Sequence, residues 1–359
     1  IYCSDVQFLD IADARIYPDS MKLNIRKKAK IDVLKNARIV ASYITKYHRF
    51  VDTEVEIIAR RDYKAVGNYP YYDLDSNLQF IRMTDIGPDS SYQTRASGEI
   101  SDSDGFKLSP QFDYYGKVNI RASNPLLFFD GATRINHSCS KFERSWMSFK
   151  AQIDPTNIQI PVQESMVDLD GKTISAGIVW RDSRATDSLN LYPTFLSSLV
   201  SSKDPIVMTS SGLLQYNQQK NEFQIGSKEK LINQQEQGNY IALNIESCSL
   251  LGEGKIDLGM DFGEVEVDAV GTVSYDQLTE ETSMNLTAKF KMELDKGIMQ
   301  NLANRINALD LKSPTNFNTI TLEQTILEWD GEKEANEFKS KFFIDGGIKK
   351  VPNGLYSTL

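Results

Sequence analysis

The sequence predicts a mainly β protein, either an elongated stack of β-repeats resembling an open jellyroll or a large sandwich, with a small helical region near the C-terminal end. Three observations carry that reading. Glycines that look like corners, each leading into a strand-like run, recur at Gly67, Gly98, Gly116, Gly131, Gly212, Gly254 and Gly271. Apolar and polar residues alternate with period two over most of the chain, which is the mark of half-buried strands. After Asp295 the period changes, and Ile298, Leu302, Ile306 and Leu309 follow one another at steps of three and four, as on an amphipathic helix.

Residues 1–153 read as a first β-repeat unit. Ala14 and Ile16, Leu23 and Ile25, and Ile31 and Val33 alternate with polar neighbours, and Phe106, Leu108 and Phe112 continue the pattern. Gly67 to Gly98 is 31 positions and Gly98 to Gly131 is 33, which suits the two to three strands that fit in about 30 residues. Stacking β-coils need units of this kind, because each coil buries its apolar face against the next. A sandwich gives similar turn signals and stays open as the alternative.

Residues 154–205 read as an irregular connector. Four prolines, at 155, 161, 193 and 205, and serines at 197, 198, 201 and 202 interrupt the alternation, and Tyr192 to Val200 reads as a short helix. Residues 206–294 form a second β-repeat unit that ends in a two-faced strand in which Met284, Leu286, Ala288, Phe290 and Met292 alternate with polar residues. Residues 295–359 read as a helical segment returning to strand. In three places a tyrosine and then Asp or Asn follow the glycine by a few positions: Tyr71, Tyr72 and Asp73; Tyr216 and Asn217; Tyr275 and Asp276.

Composition excludes several functions. A chain of 359 residues that is 40% hydrophobic can bury one large core or about two to three smaller ones. A formal net charge of -9 counts against nucleic acid as a partner, since that affinity comes from neutralising phosphates. No run approaches the roughly 20 apolar residues of a membrane-spanning helix. The chain begins at Ile1 rather than Met and has no basic-then-apolar leader, so it reads as trimmed or partial.

Few residues offer chemistry. Cys3, Cys139 and Cys248 with His48 and His137 have no zinc-ligand spacing. The cysteines read as small buried side chains, although Cys139 and Cys248 can pair if their strands are neighbours. Asp73, Asp75 and Asn77 resemble the opening of a calcium loop, but Leu78 stands where that loop needs glycine and Thr84 where it needs a carboxylate. Asp102 to Gly105 reads as a solvated turn. The basic run Arg26, Lys27, Lys28 and Lys30 reads as strand-edge charge. No nucleophile elbow, phosphate loop or dinucleotide fingerprint occurs. The best candidate for ligand or partner contact is Trp180, Arg181, Asp182 and Arg184, where an aromatic plate, two guanidinium groups and a carboxylate stand together. Salt bridges beside a buried tryptophan are the plainer reading of the same residues.

The segments Ala96 to Ile100, Ser211 to Asn217 and Val270 to Asp276 resemble the repeat of the OstA/LptA-type periplasmic domains. Phe112 to Val118, Arg134 to Cys139 and Gly259 to Gly263 are similar to segments of long Bacteroidetes envelope proteins. The resemblance implies an extracytoplasmic place, periplasmic or associated with the outer membrane. It implies a β-jellyroll, and lipid as a ligand if the apolar face forms a trough rather than a filled core. The expectation is a non-catalytic structural and binding scaffold, a segment of a larger envelope protein, whose partners are other envelope proteins or further domains of the same chain. No enzyme activity, cofactor or metal is expected. The alternatives are a lipid or lipopolysaccharide conduit and a glycan-active enzyme centred on Trp180, Arg181 and Asp182.

Overall fold

A computed structural model of the chain describes residues 6–9, 14–17, 22–25, 33–41, 45–59, 62–164, 166–181, 190–258, 265–292, 301, 327, 331–333, 336, 349–351 and 354–356. The first half of the chain becomes β1 (Val6–Leu9), β2 (Ala14–Tyr17), β3 (Lys22–Ile25), β4 (Leu34–Ala41), β5 (His48–Ala59), β6 (Asp62–Tyr72), β7 (Leu78–Pro88), β8 (Thr94–Ile100), β9 (Lys107–Ser109), β10 (Phe112–Arg121), β11 (Leu127–Ile135) and β12 (Met147–Ile153). Ten of these form one sheet in the order β1-β4-β5-β6-β7-β8-β10-β11-β12, with β9 beside β10, while β2 and β3 pair as a separate hairpin.

Next come β13 (Ile160–Val162), β14 (Met166–Val167), β15 (Thr173–Arg181), β16 (Asn190–Ser198), β17 (Ile206–Thr209), β18 (Gly212–Asn217), β19 (Glu222–Gly226), the short helix α1 (Lys228–Ile232), β20 (Tyr240–Asn244), β21 (Ser249–Ile256), β22 (Val265–Asp276) and β23 (Glu281–Met292), then the hairpin β24 (Lys349–Val351) and β25 (Gly354–Tyr356). A seven-stranded sheet runs β13-β18-β19-β20-β21-β22-β23, and a four-stranded one runs β14-β15-β16 with β17 on β15. Neighbouring strands pair antiparallel, as in Gly116 opposite Gly131 and Gly254 opposite Gly271. The fold is mainly β, consistent with a sandwich or stacked β arrangement.

Alternation sorts each strand into two faces. β8 buries Thr94, Ala96, Gly98 and Ile100 and turns Arg95 and Glu99 outward. The buried faces meet in one apolar cluster that runs from Ala37 to Tyr275 and includes strands of all three large sheets. Rings fill it: Tyr71 lies 5.1 Å from Phe106, Tyr114 lies 4.9 Å from Phe129, and Phe112 of the first sheet meets Phe223 of the second edge-on at 5.5 Å. Their hydroxyls are satisfied inside, with Tyr71 donating to the Leu108 carbonyl at 2.8 Å and Tyr114 to the Lys117 carbonyl at 2.8 Å. The inward face is therefore a packed interior rather than an open trough.

Two expectations are corrected. The repeating glycines are not corners: six lie inside long strands and Gly212 opens β18. They stand where another chain segment comes too close for a side chain. A Cβ on Gly67 would strike the Thr53 side chain, and one on Gly98 would strike the Arg82 carbonyl. The segment from Tyr192, read as a short helix, is strand β16, whose Pro193 stands opposite Ile178. β16 has a neighbour on one side in the strand order, and proline is tolerated on such an edge because it lacks only the outward donor. The helical region expected after Asp295 lies outside the described residues except for helical positions 301, 327, 332, 333 and 336.

The tyrosine pattern has a clear local meaning. Each tyrosine lies in the last two residues of a strand, and the following Asp or Asn turns its side chain back on the hairpin loop. Asp73 accepts from the Asn77 backbone N–H at 2.8 Å, Asn217 from Lys220 at 3.1 Å, and Asp276 from Leu278 at 2.7 Å. The Asp73 carboxylate, which looked like the start of a calcium loop, is a turn cap.

Candidate functional site

Of the four residues singled out from sequence, Trp180 and Arg181 end β15, while Asp182 and Arg184 lie outside the described residues. Trp180 is half-buried against the core and its backbone N–H donates to the Pro205 carbonyl at 2.9 Å. Its indole N–H is buried without a hydrogen-bond partner among the described residues. Arg181 is exposed and stands opposite Asn190. Beside them is a pair that sequence reasoning missed. The Tyr192 hydroxyl donates to Asp204 at 2.8 Å, and the same carboxylate oxygen accepts from the Ser201 backbone N–H at 3.1 Å. Burial first, then that carboxylate, pushes the Tyr192 pKa up to about 12. Asp204 is buried and engaged in holding the loop before β17.

A groove lies on the outer side of β4, β5 and β6. Arg38, Lys46, Arg49, Asp52, Pro70 and Tyr72 are among the residues around a hollow of about 540 Å³. Local backbone irregularity shapes it. The β4–β5 register shifts on both sides of Ala37 and the β5–β6 register shifts between Val51 and Glu54. Asn36 and Asp52 take positive φ values of 54° and 50° at these shifts. Such bulges bend a strand and re-aim side chains. Thr53, fully buried between them, donates to the Ala37 carbonyl at 2.7 Å and packs over Gly67, which ties the bulge to one of the repeat glycines. Tyr72 is 56% exposed and stands opposite Leu78, as Pro70 does opposite the 54%-exposed Phe80, so the groove opens onto an apolar outer stripe.

Further along the same sheet several outward charges are matched. Asp113 takes Lys107 at 3.0 Å and Arg134 at 2.8 Å, and Arg134 also lies over the Trp146 ring at 4.4 Å. Burial alone would raise the Asp113 pKa, but the hydrogen bonds and charges of Arg134 and Lys107 outweigh it and hold it below 3.8. Lys150 pairs with Asp130 at 2.8 Å. By contrast, Arg38, Lys46 and Arg49 make no ion pair among the described residues.

Cys139 and Cys248 form a disulfide across 109 positions, which overturns the reading of both as unpaired buried thiols. The reason is tertiary. The loop after β11 folds against the turns before β21 and β23, where Phe142 meets Tyr275 edge-on at 6.2 Å and Lys141 pairs with Glu280 at 2.6 Å. Cys3 lies outside the described residues. His48 is fully buried and its Nε2 lies 2.6 Å from the Asn124 carbonyl. Among the described residues no group of three or more His, Cys, Asp or Glu is placed to hold a metal ion, and no helix is long and apolar enough to cross a membrane.

Fold and surface together define an antiparallel β protein with a disulfide between sheets and a cationic, aromatic groove. No family model, curated protein or solved structure matches the chain.

Proposed function

We propose that the chain is a non-catalytic structural and binding segment of a larger extracytoplasmic envelope protein. The disulfide between Cys139 and Cys248 carries the proposal. Such bonds form and persist in oxidising compartments and are rare where thiol buffers keep cysteines reduced. This one joins a loop of the ten-stranded sheet to a turn of the seven-stranded sheet, so it stiffens the relation between them, as a scaffold requires. The ring-filled interior supports a scaffold over a lipid conduit, because Phe112, Phe195 and Phe223 occupy the space that acyl chains would need. Edge strands offer the contact mode. Among the described residues β23 has a paired neighbour on one side only, which leaves its other ladder edge for strand addition by another chain.

The test is thiol trapping in the native host. Cells are fractionated and alkylated before and after reduction, and the peptides bearing Cys139 and Cys248 are weighed. An extracytoplasmic protein whose two cysteines take up label only after reduction is expected. A cytoplasmic protein with both thiols free overturns the proposal.

A further inference from the structure

We infer that the groove formed by Arg38, Lys46, Arg49, Asp52, Pro70 and Tyr72 binds a small acidic sugar, a pyranose carrying a carboxylate or phosphate group. The inference rests on the binding-segment reading above and supplies its ligand. Size is the first argument. A hollow of about 540 Å³ falls within the roughly 300–1,000 Å³ of small-molecule sites, and among the described residues it is local rather than part of the extended basic track that a nucleic acid strand needs.

Charge is the second argument. The chain as a whole carries -9, yet three cations and one carboxylate line this groove, a local balance of 3 − 1 = +2. Several cations elsewhere on the same sheet face are held by carboxylates, as Arg134 and Lys107 are by Asp113 and Arg95 is by Asp85. Among the described residues Arg38 and Arg49 have no such partner, which leaves their planar N–H forks to take an oxyanion through two parallel hydrogen bonds.

Shape is the third argument. Pro70 and Tyr72 lie on the outward face of β6 and give the cations an apolar floor, which suits the flat carbon face of a pyranose better than a bare inorganic anion. Cross-strand register puts Arg38, Arg49, Pro70 and Tyr72 on one outward face, and the bulge between Val51 and Glu54 brings Asp52 onto that face as well. Asp52 at the rim is placed to accept from sugar hydroxyls.

Calorimetric titration of the intact, oxidised chain tests this with three probes: trigalacturonate, glucose 1-phosphate and neutral maltotriose. Binding of at least one acidic probe and none of the neutral one is expected. Arg38→Gln and Arg49→Gln should each weaken it about tenfold or more, the loss expected for a charge-assisted hydrogen bond, and Tyr72→Ser should weaken it further. Lys117→Gln, which removes an exposed cation elsewhere on the same sheet face, should leave it unchanged. No binding of either acidic sugar, equal binding of maltotriose, or indifference to both arginine changes overturns the inference. So does tighter binding of a short single-stranded oligonucleotide. Near-native circular dichroism of each variant separates loss of binding from loss of fold. Failure here with the disulfide intact leaves the scaffold proposal standing, whereas free thiols in a cytoplasmic protein overturn that proposal whatever the groove binds.

Discussion

Gly116 and Gly131 stand opposite each other in β10 and β11 with the Tyr114 hydroxyl above both. A Cβ on Gly116 would lie 2.5 Å from the Gly131 Cα and 2.9 Å from that hydroxyl, and one on Gly131 would lie 2.7 Å from the Gly116 Cα. Gly116 also holds φ at +132°, a region that side chains avoid. Gly116→Ala is therefore expected to destabilise the protein by about 1–3 kcal/mol or more, from backbone strain and overpacking together. Gly105→Ala is the control. Its φ is also positive, at +61°, but nothing lies within 4 Å of the added carbon, so only the left-handed penalty of about 1–2 kcal/mol remains. Urea midpoints of the two variants give the comparison, and equal losses would show that the close approach contributes nothing.

The same glycines show how far the sequence was legible. Period two correctly indicated strands, and the run from Met284 falls within β23, where Met284 and Ala288 pack against the core while Leu286 is exposed. The tyrosine followed by Asp or Asn was visible as a repeat, but its role as a strand end with a side-chain turn cap was not. The glycines were seen as special and given the wrong place. A glycine before an apolar run looks the same in sequence whether it turns the chain or lets a neighbour cross it, and only the cross-strand partner separates the two. Gly67 needs Thr53 to explain it, and Thr53 is 14 positions away. The groove was invisible for the same reason. Arg38, Arg49 and Tyr72 come from three strands, and the cross-strand register that sets them on one face is announced by no local pattern.

The disulfide closes a long loop, so its loss should be felt in the unfolded chain as well as at the contact. Cys139 and Cys248 are 109 positions apart, and removing a native bridge of this kind costs about 2–5 kcal/mol. Cys139→Ser with Cys248→Ser is expected to lower the unfolding free energy by that amount and the urea midpoint with it. Reduction of the unaltered chain should do the same. If the reduced and oxidised forms unfold together, the bridge does not brace the two sheets.

The Tyr192 and Asp204 pair makes a smaller, local prediction. Tyr192→Phe removes one buried hydrogen bond, at about 1 kcal/mol. Asp204→Ala also leaves the Ser201 backbone N–H without its 3.1 Å acceptor and should cost more. Because the pair anchors the chain between β16 and β17, amide exchange should quicken at Ser201 and Val200, whose N–H donates to the Tyr192 oxygen at 3.1 Å. Exchange unchanged at both positions in Asp204→Ala would place the anchor elsewhere.

His137 sets the expected response to acid. It is buried beside Phe142, neither ring nitrogen has a hydrogen-bond partner among the described residues, and burial first, then the charge of Arg144, lowers its pKa from 6.5 to about 4. The folded protein resists the proton that the unfolded chain accepts. The unfolded state thus binds more protons between these values, and stability rises with pH there. The contribution is whole above pH 6.5 and is lost progressively as the pH falls to about 4. His48 is lowered in the same direction by burial, against hydrogen bonding to Asn124 and Arg121 carbonyls that raises it, and adds in the same sense as the pH falls below 6.5. Asp113 acts lower down, since its contribution is present above 3.8 and is lost only as the carboxylate protonates below that. Urea midpoints measured from pH 6.5 down to about 4 should therefore fall, and His137→Leu should flatten the fall without abolishing it, the remainder belonging to His48. An unchanged slope in His137→Leu would mean that the imidazole takes up its proton as readily in the folded protein as in the unfolded chain.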